Sequence, residues 1–510
     1  MQPGRDSTAI GWAALLTLTL TPLLPGRAVV VDLATVAGLL LLAWHATRPG
    51  ACLLPNRWVR WGVLAFAASV VLSTLLPPLL GEEDAAAGIA RNLHPAWDTV
   101  QALVAGGLCL LILRRERDLA FYCLALAAVL LCLSLWAPLD LWLRGRLESV
   151  LIGHNRLTGS KGTAHRWAAA LYLTLFPVWM LLLSARLRNA TLSGWRRPVG
   201  LLTVLLTAFA LLRKDLPDVG ADAPWWPQTS QAAHGATFVL LACAVAASGL
   251  LAWRRLATAG RGRTLLAIGA VAAAAANVAA SGARLHTLLL LAAGAAGLLF
   301  RFSNRLRVLL GFGAAGAVVV GVLLLHPATF SSASVQYRLH VWRQLAPLLS
   351  EAPAFGIGYG NDAFRDAWVV KADARAARLP DGVRPTAFEE VHHAHNLWMQ
   401  ILIERGVVGL IAFHLLWGAL AWTLLRELRR APPGPDAPPD PARETRRVAA
   451  AMALVAVTLL VADGLLNWPL MQAGERLFAI MTGIGLAACH PRRRAGRTEE
   501  PASSEASPSA

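Results

Sequence analysis

Apolar stretches of about 17–25 residues recur from one end of this chain to the other, each long enough to cross a hydrocarbon core of about 30 Å as a helix. Fourteen such stretches are legible, at 10–26, 28–46, 60–80, 98–113, 118–137, 165–184, 198–213, 235–253, 264–280, 284–300, 307–326, 407–425, 448–465 and 470–488. Within lipid a backbone must satisfy its own hydrogen bonds, which leaves helices and closed barrels as spanning structures. Barrel strands alternate apolar and polar residues over about 10 positions, and these runs do not. The expected fold is all-α: a polytopic integral membrane protein of about 12–14 transmembrane helices with one large external loop. Composition agrees, since 56% of the 510 residues are hydrophobic and only 15% are charged, too few charges to cover a soluble surface of that size. The first stretch lacks a small-x-small cleavage site and runs straight into the second, so it is expected to be a helix and not a signal peptide.

The formal net charge is +17. No basic face with interleaved aromatics stands outside the apolar runs, which argues against nucleic acid. Arginines at helix ends and anionic lipid headgroups account for the excess. The clusters Arg114/Arg115/Arg117, Arg186/Arg188/Arg196/Arg197, Arg254/Arg255/Arg261/Arg263, Arg301/Arg305/Arg307 and Arg492/Arg493/Arg494/Arg497 all fall on one side if fourteen spans are threaded. By the bias of basic loops that side is cytoplasmic. The expected organisation is N-terminal spans over 1–150, central spans over 151–326, a large periplasmic loop over 327–396, C-terminal spans over 397–490, and a disordered cytoplasmic tail over 491–510. Residues 431–444 form a Pro-rich cytoplasmic linker. The six cysteines, Cys52, Cys109, Cys123, Cys132, Cys243 and Cys489, show no CxxC pair and no His/Cys cluster of metal-ligand spacing.

Chemistry concentrates at the end of the hydrophilic stretch 327–396, which reads "HHAHNLWMQILIERGVVG". His395 and Asn396 are followed by nine residues, then Gly406, two residues, and Gly409. This matches the pattern H-[NSQ]-x9-G-x2-[GTV] of the O-antigen ligases, at the junction of the long loop with the next span. Upstream, Gly356, Gly358 and Gly360 resemble the family's G-x-G-x-G turn, and Arg338 with Trp342 its Arg-x3-Trp. Ser281 and Arg284 resemble its Ser-x-x-Arg-like motif, and Arg156 with Gly159 its Arg-x-x-Gly segment. The chain thus resembles the O-antigen ligase and polymerase superfamily of lipid-linked glycan transferases over about 155–410. The segment 214–234 lies outside the resemblance.

The resemblance implies transfer of a glycan from undecaprenyl pyrophosphate to lipid A-core at the periplasmic face of a bacterial inner membrane, with no metal and no cofactor. A polymerase or a protein O-oligosaccharyltransferase of the same superfamily shares the donor and differs in acceptor. His395 is the expected general base, because histidine titrates near neutral pH and can take up and release a hydroxyl proton. His392 and His393 are expected to be interfacial. Arg284 and Arg338 are the expected diphosphate ligands, since guanidinium presents a fork of donors to phosphate oxygens. Arg343 is an alternative to Arg338, and Arg156 a third candidate. Glu389 and Glu390 could orient an imidazole or bind acceptor sugar. Asn396 is expected to cap a helix, Gly406 and Gly409 to ease helix packing, and Gly356, Gly358 and Gly360 to shape a turn. A transporter is the competing class. It would need interrupted helices with charges near the membrane midplane, whereas the polar residues here gather in one loop.

Overall fold

The computed structural model describes residues 6–23, 28–48, 53–80, 84–143, 164–192, 260–280, 353–360, 393–430, 442–465 and 473–489, with isolated positions within 196–207, 286–294 and 338–367. Eleven helices and no strand occur among the described residues. They are α1 (Asp6–Leu20), α2 (Ala28–Ala46), α3 (Arg57–Leu80), α4 (Ala85–Ile112), α5 (Glu116–Leu143), α6 (Ala164–Leu183), α7 (Ala185–Asn189), α8 (Gly260–Ala280), α9 (Leu397–Arg429), α10 (Arg443–Gly464) and α11 (Ala473–Cys489). Six of them, α2, α3, α4, α5, α9 and α10, are long and apolar enough to cross a membrane, and α1 and α6 carry shorter apolar segments. The protein is an all-α polytopic membrane protein. The expected spans at 198–213, 235–253, 284–300 and 307–326 lie outside the described residues apart from 289–294 and a few single positions, as do the segment 214–234, the tail and 431–441 of the linker expected at 431–444, whose last residues, Arg443 and Glu444, instead open α10.

Two helices run longer than their apolar cores suggest. The fourth span was expected from 98, yet α4 begins at Ala85, where the Asp84 carboxylate accepts the Ala86 N–H at 3.0 Å. Its first turns carry Arg91, Asn92, His94 and Trp97, so hydropathy alone misses them. The span expected at 407–425 is the distal part of α9, whose first nine residues lie before a break described below.

Outward-facing Leu33, Leu40, Leu64, Val71 and Leu80 on α2 and α3 present an apolar surface suited to lipid. At one end of the bundle Trp58 and Trp61 stand exposed beside Arg57, whose guanidinium lies 5.1 Å from the Trp58 ring centre. Arg48 covers Trp44 at 3.8 Å on the neighbouring helix. Aromatic and basic side chains of this kind anchor helix ends at a membrane interface.

Inside, backbones approach closely where side chains are absent, as expected when lipid removes most of the hydrophobic drive for helix association. α4 packs on α11, and α3 on α9. A Cβ at Gly483 would lie 2.7 Å from the Gly106 carbonyl oxygen, and one at Gly62 would lie 2.9 Å from Leu416 Cα. Gly483→Ala should therefore destabilise by about 1–3 kcal/mol through overpacking against rigid backbone. Gly418→Ala, with nothing within 4 Å of the added carbon, should be neutral or stabilise by up to about 1 kcal/mol. Thermal unfolding of both variants in detergent checks this pair; a Gly483→Ala protein as stable as its parent would contradict the contact.

Candidate functional site

The site is organised by a break in α9. Asn396 caps the helix, its side-chain oxygen accepting the Met399 N–H at 3.0 Å. Ten residues later the helix is interrupted at Gly406, with φ 63° and ψ −166°. A helix break strands the backbone groups that would have paired four residues apart. Here the segment 353–357 supplies the partners. Val407 N–H donates to the Pro353 carbonyl at 2.8 Å and Val408 N–H to Ala354 at 3.1 Å, while the freed Ile403 carbonyl accepts from Ile357 at 2.9 Å. The two chains meet so closely that a Cβ at Gly406 would lie 2.2 Å from the Ala354 oxygen, and one at Gly356 would lie 2.3 Å from the Glu404 carbonyl carbon. Both glycines also have positive φ, which L side chains resist. Gly406 thus breaks the helix where it was expected to ease helix packing. Gly409 leaves room for Arg405, whose Cβ would lie 2.1 Å from a Cβ added there.

Beyond Gly356 the turn is wedged against α4. A Cβ at Gly358 would reach 2.9 Å from Asn92 Nδ2, and one at Gly360 would reach 2.2 Å from Pro95 Cγ. Tyr359 projects from this turn into the bundle. Its hydroxyl donates to Glu475 of α11 at 3.2 Å, accepts from Arg405, and contacts the Thr99 hydroxyl. Thr99 in turn donates to Glu475 at 2.8 Å. Arg405 lies 3.6 Å from Glu475 and 4.1 Å over the Tyr359 ring, with Phe66 at 4.9 Å. Its neighbour Glu404 accepts from Gln400 at 2.7 Å. Polar residues are therefore not confined to the external loop as expected, because an ion pair and its hydroxyl partners sit within the helix bundle. Arg405, Glu404, Tyr359 and Glu475 were not among the residues expected to matter. The available signal was a Glu-Arg pair inside an apolar run, at 404–405 and again at 475–476.

His395 stands on the other side of the Asn396 cap. It is the one non-glycine residue with positive φ, 50°, among the described residues, a conformation costing roughly 1–2 kcal/mol. Its ring lies 4.0 Å from that of His393. The Ala394 carbonyl accepts the Trp342 indole N–H at 2.7 Å, and the Ala394 N–H donates to Gln400 at 2.6 Å. Val341, Leu345, Phe364, Ala394 and Ile403 form a small apolar core of their own, with Trp342, Ile357 and Met399 against it. That core ties the Arg338–Trp342 segment to the His395 loop.

The last turn of α10 closes the arrangement. The Asn396 amide donates to the Leu465 carbonyl at 3.0 Å. Two residues earlier, the buried Asp463 carboxylate lies 3.5 Å from His286 Nε2. Arg338 is half-buried; burial lowers its pKa from the ordinary arginine value, and the Asp463 carboxylate opposes that. Arg343 is exposed. The structure thus brings His286 and Asp463 to the helix end that also holds the Asn396 side chain. Asp463 and His286 were not foreseen. Arg284, Arg156, Glu389, Glu390 and His392 lie outside the described residues.

A family comparison bears on this region. Residues 268–414 match a family model described as O-antigen ligase, a span containing the break in α9, the glycine turn, Arg338 and His395. No curated protein matches the chain.

The buried pair generates a prediction. Arg405 and Glu475 side chains are 4% and 11% exposed, so Arg405→Met should destabilise by about 3–5 kcal/mol by leaving the carboxylate uncompensated. Adding Glu475→Gln should recover most of that loss. Unfolding of the two single variants and the double variant in detergent decides it. Simple addition of the two single losses would show that the groups do not act as a pair.

Proposed function

Given an O-antigen ligase domain at residues 268–414, we propose that this chain transfers a glycan from undecaprenyl pyrophosphate to lipid A-core at the periplasmic face of a bacterial inner membrane. His395 removes the proton from the acceptor hydroxyl. The acceptor oxygen attacks the anomeric carbon, the bond from that carbon to the diphosphate oxygen breaks, and the polyprenyl diphosphate leaves with the bonding pair. Arg338 and Arg284 neutralise the diphosphate, with Arg156 a further candidate. Glu389 and Glu390 contact acceptor sugar or orient an imidazole. In this scheme arginines supply the charge stabilisation that such a departure requires, and no cofactor is used.

The observation that carries this proposal is His395 itself. The histidine of the H-N-x9-G-x2-G motif is held in a strained backbone conformation by side chains on both flanks, beside the small apolar core that carries the Arg338–Trp342 segment. Strain of this kind persists where surrounding structure over-determines it, and it clusters at functional sites. A broken helix with buried charges also occurs in transporters. The break at Gly406, however, is filled by the backbone of 353–357, which favours a fixed site over a moving path. Polymerase and protein-glycosylating variants of the reaction keep the same donor and base and change only the acceptor.

His395→Ala should lower turnover roughly 10²–10⁴-fold with little change in donor affinity, since the imidazole acts on the acceptor proton. Arg338→Ala should weaken donor binding as well as turnover, and Arg338→Lys should restore only part, having charge without the bidentate fork. Steady-state kinetics and donor binding of purified variants test the assignment. Near-normal turnover in His395→Ala, or loss of activity confined to His393→Ala, would overturn it.

A further inference from the structure

We infer that Gln400 is a positioning residue for His395, holding the peptides ahead of the base through a carboxamide fixed in one orientation. The inference rests on His395 being the base proposed above. Gln400 lies on the first turn of α9, four residues after the Asn396 cap. Its oxygen accepts the Ala394 N–H at 2.6 Å and its nitrogen donates to Glu404 at 2.7 Å. Both Gln400 and Glu404 are buried, at 0% and 1% exposure.

A carboxamide has a donor end and an acceptor end, and turning it over exchanges them. A backbone N–H donates and does not accept, so the oxygen must face Ala394. That leaves the nitrogen for Glu404. A line of hydrogen bonds therefore runs from Glu404 through Gln400 to the peptide before Ala394. The next peptide is held from the opposite side by the Trp342 indole. Asn396 pins the far side of His395 to Leu465. With both flanks held, His395 adopts a left-handed backbone conformation. Side chains and not regular secondary structure do this holding.

Gln400→Leu keeps the side-chain volume and removes both hydrogen bonds. In the purified full-length protein it should lower kcat about 10²-fold, the effect of a misplacement of about 1 Å, and leave the KM for lipid-linked donor within about twofold. Trp342→Phe keeps the ring packing and removes the other hydrogen bond; it should cause a smaller loss of the same kind. In a His395→Ala background each change should cost less than about threefold more, because a residue acting through the base has nothing left to position. The cycle reads a coupling that a merely structural role would not give. Equal losses on both backgrounds would overturn the inference, as would normal turnover of Gln400→Leu beside an inactive His395→Ala. A His395→Ala protein with near-normal turnover would overturn the proposed function as well.

Discussion

The interaction on which the rest of the site depends is the repair of a broken helix by a neighbouring chain. A 33-residue α-helix would be roughly 50 Å long at 1.5 Å per residue, more than a bilayer core requires. Interruption at Gly406 divides it into a membrane-length part and a short cap. Stranded backbone groups in a membrane are costly, so the break requires partners. Residues 353–357 provide three hydrogen bonds, and Gly356 and Gly406 permit the approach. The helix break and the glycine turn are two halves of one junction.

That junction sets the position of everything around it. On one side it drives Tyr359 into the bundle, where its hydroxyl meets Arg405, Glu475 and Thr99. Burying an ion pair in this way rarely adds net stability, and its attested use is to specify one arrangement over others. Glu475 belongs to α11 and Thr99 to α4, so the pair registers the turn against two helices distant in sequence. On the other side, the short cap of α9 presents Gln400 to the His395 loop. A small apolar core of Val341, Leu345, Phe364, Ala394 and Ile403 anchors the same loop.

Much of this was legible from sequence, and the failures have physical causes. Long apolar runs announce spanning helices because lipid tolerates little else. The glycines at 356, 358, 360, 406 and 409 could be read as special positions, but their task could not. Whether a glycine eases packing or breaks a helix depends on what lies opposite, and Ala354 is 52 residues away from Gly406. Asn396 reads directly as a cap because capping is local. Gln400, Glu404, Tyr359, Asp463 and His286 escaped notice because each owes its role to a tertiary partner. The early start of α4 escaped for a related reason: polar residues in its early turns that are at least partly covered by protein, such as Arg91 and Asn92, look like loop to a hydropathy scale.

The central claim is that this fold moves a glycan from a lipid diphosphate to a hydroxyl. Its most direct measurement is the reaction of the purified full-length protein, reconstituted in vesicles with undecaprenyl-pyrophosphate-linked glycan and lipid A-core. The account predicts that glycan appears on the acceptor and that polyprenyl diphosphate is released one for one. Intact donor after prolonged incubation with folded protein, whether the acceptor supplied is lipid A-core, a second lipid-linked glycan or a protein hydroxyl, would contradict it.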